Sequence, residues 1–153
     1  MKVTLERKGP WDNEDDKRVW QDPETKTVCE IVRTRLGYWC GYIRTFDHPL
    51  AGFDLLDRDC SNPIRSIAVH GGVSFTDTIT TRENGIVEYV VGFDCGHDLD
   101  DVPALEAYEG SVYRTQEYAI KETTKLAKAM YELRCQYHMD PYVACEGCEE
   151  CMY

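Results

Sequence analysis

Two short segments gather the residue types that move protons and hold anions. The first is His70-Gly71-Gly72-Val73-Ser74-Phe75, and the second is Gly92-Phe93-Asp94-Cys95-Gly96-His97-Asp98. An imidazole followed by two glycines can leave backbone N–H groups turned toward a ligand oxygen, because glycine admits the backbone angles that such a loop needs. A carboxylate three residues before an imidazole can orient it as a general acid or base. His70 and His97 are therefore the candidate proton carriers and Asp94 the candidate orienting group. Cys95 lies between Asp94 and His97, at the point where a strand-like run spills into a loop, a common address for a site. The set His70, Cys95, His97 also leaves room for zinc or another divalent metal, although the chemistry reads without a cofactor.

An anionic ligand needs donors and, if it carries a base, a stacking surface. Arg33, Arg44 and Arg114 are candidate phosphate donors. The Gly71-Gly72 backbone and Ser74 could approach a phosphate, and Trp39, Tyr42, Phe75 and Phe93 could stack a base.

Other clusters compete for attention. Cys145, Cys148 and Cys151 form two overlapping C-x-x-C steps near the chain end, with Cys135 and His138 upstream as further ligands. Zinc is usually held by two separated pairs, so thiols in a solvated tail are the simpler reading. The acidic run 12–16 could meet Asp98, Asp100 and Asp101 around a cation, but it lacks the spacing of a calcium loop. There is no P-loop, dinucleotide fingerprint, G-x-S-x-G or H-E-x-x-H.

Composition bounds the rest. The chain has 153 residues, 42% of them hydrophobic, enough for one domain with its own core. Its 17 Lys and Arg stand against 28 Asp and Glu, a net charge of −11. Such a chain repels duplex nucleic acid and anionic membrane, yet one or two arginines suffice for a small anion. No apolar run approaches the roughly 18 residues of a membrane span, and residues 1–8 lack the apolar stretch of a secretory signal. The expectation is a cytoplasmic protein with its eight cysteines reduced.

The elements that must position these residues follow from periodicity. Runs 27–33 and 38–44, broken at Gly37, read as a hairpin; 64–70 reads as a strand that 73–76 continues beyond a bulge. Asn84-Gly85 is a hairpin turn leading into a strand over 86–93. Residues 111–138 read as one helix, capped by Ser111, with Val112, Ala119, Leu126 and Leu133 on its apolar face and Gln116, Ile120, Ala127, Met130 and Tyr137 beside them. Residues 9–27 form a polar arm that Trp11 and Trp20 pin to the body. The expected fold is α+β: an antiparallel sheet of four or five strands with one long C-terminal helix packed on it. Residues 1–139 make the domain and 140–153 an acidic, cysteine-rich tail.

The order of motifs resembles a family of small phage and prophage proteins. The resemblance is carried by Gly9-Pro10-Trp11-Asp12-x-Glu14-x-Asp16, Cys29-x-Ile31-Val32-Arg33, Cys40-Gly41-Tyr42, His48-Pro49-Leu50-x-Gly52, His70-Gly71-Gly72-x-Ser74-Phe75 and Gly92-Phe93-Asp94-Cys95-x-His97. Members continue the last motif with a small residue, Gly, then Asp; here Asp98-Leu99-Asp100 follows His97. The resemblance implies a phage-encoded accessory protein in the cytoplasm of an infected bacterium, where such proteins often oppose host defence. By analogy of context, the expected ligand is a cyclic nucleotide-type immune signal, hydrolysed by His/Asp acid–base chemistry. The alternatives are a non-catalytic sponge for the same ligand, which would suit a homo-oligomer, and an acidic inhibitor that docks on a host enzyme.

Overall fold

A computed structural model describes residues 2–56, 62–81, 83 and 85–137. Five strands form one antiparallel sheet: β1 (Lys17–Gln21), β2 (Val28–Arg33), β3 (Trp39–Phe46), β4 (Phe75–Thr81) and β5 (Ile86–Asp94). Their order across the sheet is β1-β2-β3-β5-β4. Among the described residues one α-helix, α1 (Gln116–Gln136), packs against β2 and β3. The α+β architecture expected from the sequence is thus the one observed.

Strand alternation explains the packing. Along β2, Cys29, Ile31 and Arg33 turn inward, and along β3, Trp39, Gly41, Ile43 and Thr45 do the same. Successive side chains on a strand point to opposite faces, so one face of the sheet is a core and the other is not. The helix meets that core with Ala119, Glu122, Thr123, Leu126, Ala127 and Met130, a stripe at helical spacing. Val112 and Tyr137, expected on the stripe, are exposed. Close approach is secured at Gly41, where a Cβ would fall on the Phe93 ring and Thr123 Oγ1.

Several element boundaries differ from the expectation. Residues 64–70 are not a strand: Pro63–Ser66 is a 3-10 turn, with the Asn62 side chain accepting from the Ile64 N–H at 3.0 Å. Its apolar residues Ile64, Ile67 and Val69 are buried by packing rather than by pairing. The polar arm contains a strand, β1, whose exposed residues suit the sheet edge. The helix begins at Gln116, capped by Thr115 Oγ1, which accepts from the Tyr118 N–H at 3.1 Å. Ser111 donates to the Tyr108 carbonyl instead, because the chain around Val112 bridges back to residues 99–101. Cys60, Asn84, His138 and the tail with Cys145, Cys148 and Cys151 lie outside the described residues.

The topology sets the address of the site. The connection from β3 to β4 runs from residue 47 to 74 and carries His48 and His70. The connection from β5 to α1 runs from residue 95 to 115 and carries His97, Asp100 and Arg114. The two meet at the Asp94 end of β5, beside the first turn of α1. Among the described residues no helix is long and apolar enough to cross a membrane.

Candidate functional site

The centre of the cluster is Asp100, 2% exposed. Its Oδ1 accepts from Arg114 Nε at 2.9 Å, and its Oδ2 accepts from the His97 backbone N–H at 3.0 Å and faces His70 Nε2 at 2.8 Å. Burial by itself would raise the pKa of this carboxyl. The hydrogen bonds from His70, Arg114 and the His97 N–H outweigh burial and hold it below its ordinary value, so it is an ionised acceptor. The proton shared with His70 therefore sits on Nε2, and His70 Nδ1 faces Tyr118 Oη at 2.8 Å. Asp100, His70 and Tyr118 thus form one hydrogen-bonded chain running from the 95–115 connection through the 47–74 connection to the helix.

His97 stands beside this chain. Its ring centroid is 6.0 Å from that of His70, with the planes tilted by 58°. His97 Nε2 lies 3.3 Å from Asp94 Oδ1, within ion-pair reach but outside hydrogen-bond geometry. Asp94 is itself fixed by Ser74 Oγ, donating to Oδ2 at 2.9 Å, and by the Gly96 N–H, donating to Oδ1 at 3.0 Å. Nε2 is covered, yet the His97 side chain as a whole is 38% exposed, so water and ligand reach the rest of the ring.

Gly71 explains how His97 fits. It has φ +68°, and a Cβ there would fall on the His97 ring. The Gly71-Gly72 pair was expected to bring backbone donors to a phosphate. Instead Gly71 admits an imidazole, and the Gly72 N–H is spent on the Val69 carbonyl at 2.8 Å. Leu99, two residues past His97, holds φ +72°. The turn that delivers Asp100 is thus made with a side chain in a left-handed conformation.

The remaining expected ligand residues divide. Arg114 belongs to the cluster: its guanidinium carbon lies 5.1 Å from the Tyr118 ring centroid and its side chain is 27% exposed. Tyr42 and Phe75 stack edge to face at 5.3 Å on the open side of the sheet, where their strands run toward Asp94 and Ser74. Arg33 does not belong. It is 4% exposed and stacks on Trp39 at 4.3 Å. Its nitrogens donate to Asp16, Gly37, Tyr113, Glu14 and Asp15, which leaves no donor for a ligand. Arg44 lies further along β3, paired with Glu88 and Glu30 on the open face. Trp39, Phe93 and Cys95 are buried, beyond reach of a ligand. Burial, with Asp100 nearby, pushes the Cys95 thiol well up from its ordinary range, so it stays a thiol.

The acidic residues do not converge on a cation: Asp12 caps Gly9, Asp16 pairs with Arg33, and Asp101 pairs with Arg7. Among the described residues no three His, Cys, Asp or Glu side chains group as a metal site. His48 is buried as a structural pin, its Nε2 2.8 Å from the Met130 carbonyl and its Nδ1 accepting from the Leu50 N–H. Asp100 and Tyr118 are the residues that sequence reasoning missed as members of this site. Thirty and 48 positions separate them from His70, and no local spacing announces such a contact.

No family model, curated protein or solved structure matches the chain.

Proposed function

We propose that the protein is a metal-independent hydrolase of a small anionic phosphodiester, a cyclic nucleotide-type signal being the ligand class that suits its context. One observation carries this reading: two imidazoles 6.0 Å apart, each beside its own carboxylate, with a part-exposed arginine at the rim. Phosphodiester hydrolysis needs a base on one side of phosphorus and an acid on the other. His70, with Nε2–H committed to Asp100, offers Nδ1 as the base. His97, open to solvent and oriented by Asp94, supplies the acid. Each such group contributes about 10²–10⁴-fold. Arg114 neutralises charge on the non-bridging phosphate oxygens. The resemblance to phage proteins supplies the setting, in which removal of a host immune signal would protect the phage.

The test is incubation of the protein with a panel of cyclic dinucleotides and cyclised ADP-ribose species, followed by chromatography of the filtrate and of a heat-denatured sample. A new product that His97→Ala fails to make supports the hydrolase. Intact ligand released only on heating would replace this reading with a sponge. A panel that passes through unchanged and unretained would remove the nucleotide reading altogether.

A further inference from the structure

We propose that Tyr118 is the nucleophile of this site and that turnover passes through a phosphotyrosyl intermediate. The inference rests on the phosphodiester reading above and names the group from which His70 takes its proton.

The direction of the hydrogen bonds carries the argument. Asp100 is buried and ionised, so it can only accept, and the proton between it and His70 lies on Nε2. In the neutral form that a general base requires, His70 presents a lone pair at Nδ1, and Tyr118 Oη, 2.8 Å away, is placed to donate to it. A hydroxyl that donates its only proton inward turns its own lone pairs away from the base. Carboxylate, imidazole and hydroxyl thus stand in the arrangement that activates a nucleophile, with tyrosine in the place where serine is more familiar. Burial, then the nearby Glu122, holds the Tyr118 hydroxyl above its ordinary range, so at rest it is protonated and requires the base it touches.

The neighbours fit the same role. The Arg114 guanidinium, over the Tyr118 ring, meets Asp100 through Nε, and its terminal nitrogens form no hydrogen bond among the described residues. They are placed to hold the phosphoryl oxygens of an ester that reaches Oη. The His97 ring, its centroid 6.0 Å from that of His70 and part exposed, is the remaining imidazole that can give a leaving oxygen its proton.

The steps balance. Tyr118 Oη forms a bond to phosphorus as His70 Nδ1 takes its proton. The bond from phosphorus to the leaving oxygen breaks, and protonated His97 gives that oxygen a proton. The result is a phosphotyrosyl ester and a free alcohol. His97, now neutral, takes a proton from water as the water oxygen attacks phosphorus. The phenolate leaves and recovers its proton from His70. One water is consumed for each ester bond broken, and no oxidant, reductant or metal enters.

Bis(p-nitrophenyl) phosphate is the probe, because nitrophenolate leaves without a proton and lets the two steps be separated. The wild-type chain is expected to release nitrophenol. Tyr118→Phe, which removes one oxygen, is expected to lose at least about 10³-fold in turnover. His97→Gln keeps the first step on this probe but stalls the second. Its mass is expected to rise by one nitrophenyl phosphoryl group, located on the peptide that holds Tyr118. Turnover of Tyr118→Phe within about twofold of wild type would overturn the proposal while leaving the hydrolase reading intact, the comparison being set by ordinary assay scatter against a nucleophile's expected loss. So would an adduct on another residue, or no adduct in His97→Gln while the wild type turns over. A wild-type chain that cleaves neither this probe nor the nucleotide panel would overturn both. Should Tyr118→Phe fail to fold, by circular dichroism, the adduct map in His97→Gln decides.

Discussion

Two buried ionic clusters meet the start of the helix, one through Glu14 at the Gln116 N–H and the other through Tyr118, and they are finished to different degrees. Around Arg33, five donor nitrogen–hydrogen directions meet Glu14, Asp15, Asp16, Gly37 and Tyr113, and Trp39 covers the guanidinium face. Burial alone would lower the pKa of this guanidinium; the bonds to Tyr113, Glu14 and Asp16 outweigh it. Around Asp100 the carboxylate is equally well satisfied, but the groups that satisfy it are not. His70 passes its hydrogen bond to a tyrosine, Arg114 keeps its far end unused among the described residues, and His97 stands part exposed. A saturated network holds the polar arm on the sheet. A network with reactive edges can do chemistry. The difference lies in where the unused donors and acceptors point, not in the number of charges.

Breaking the saturated cluster should have the largest effect. Arg33→Ala leaves Glu14 and Asp16 facing each other without a cation and should cost about 3–5 kcal/mol in denaturant unfolding. Arg33→Lys should recover little of it, since an ammonium cannot supply the planar fork.

Breaking the other cluster should affect turnover more than folding. Asp100→Asn removes the acceptor that fixes the His70 tautomer, and activity on a phosphodiester probe should fall by about 10²–10⁴-fold. The same variant has a signed pH dependence. Asp100 titrates below its ordinary value of 3.8 in the folded chain, so its contribution to stability is present above that pH and is lost as pH falls through the folded value. The gap in unfolding free energy between wild type and Asp100→Asn should therefore shrink as pH drops below 3.8. A gap that stayed constant would mean that Asp100 is not held as an ionised acceptor.

Gly71→Ala sharpens the role of His97. The added Cβ falls on the imidazole and the backbone is left-handed, so a cost of about 1–3 kcal/mol is expected. Activity should fall even under conditions where the variant is fully folded, because the ring must move from Asp94. The smallest effect is at Leu99. Leu99→Gly should relieve its left-handed backbone and change stability by about 1 kcal/mol at most, in the stabilising direction, offset by the freedom glycine gains when unfolded.

Much of the frame was legible in the residues. The β-rich runs 27–33, 38–44 and 86–93 marked three strands that the structure places at Val28–Arg33, Trp39–Phe46 and Ile86–Asp94, and the heptad spacing of Val112, Ala119, Leu126 and Leu133 marked a helix over 111–138 that runs from Gln116 to Gln136. Edge strands were harder. β1 and the Thr-rich second half of β4 have little to bury, so no period stood out from their exposed residues. The run 64–70 carried apolar residues at strand-like spacing, but the Asn62 cap and Pro63 made the chain turn there.

The candidate site divides in the same way. Side-chain type and local spacing pointed to His70, Asp94 and His97, because a motif within a few residues constrains what its members can reach. Arg33 was named for the wrong end of its chemistry: a guanidinium suits a phosphate and a buried pair of carboxylates equally, and only packing chooses between them. By itself the sequence determined the hydrophobic periods, hence the sheet, the helix and the short motifs at their ends. The tertiary structure alone decided that residues 70, 97, 100, 114 and 118 share one cluster while Arg33 belongs to another. Hydrogen bonds act over about 3 Å, and which donors come within that distance depends on how the two long connections cross at the end of β5, which no local pattern records.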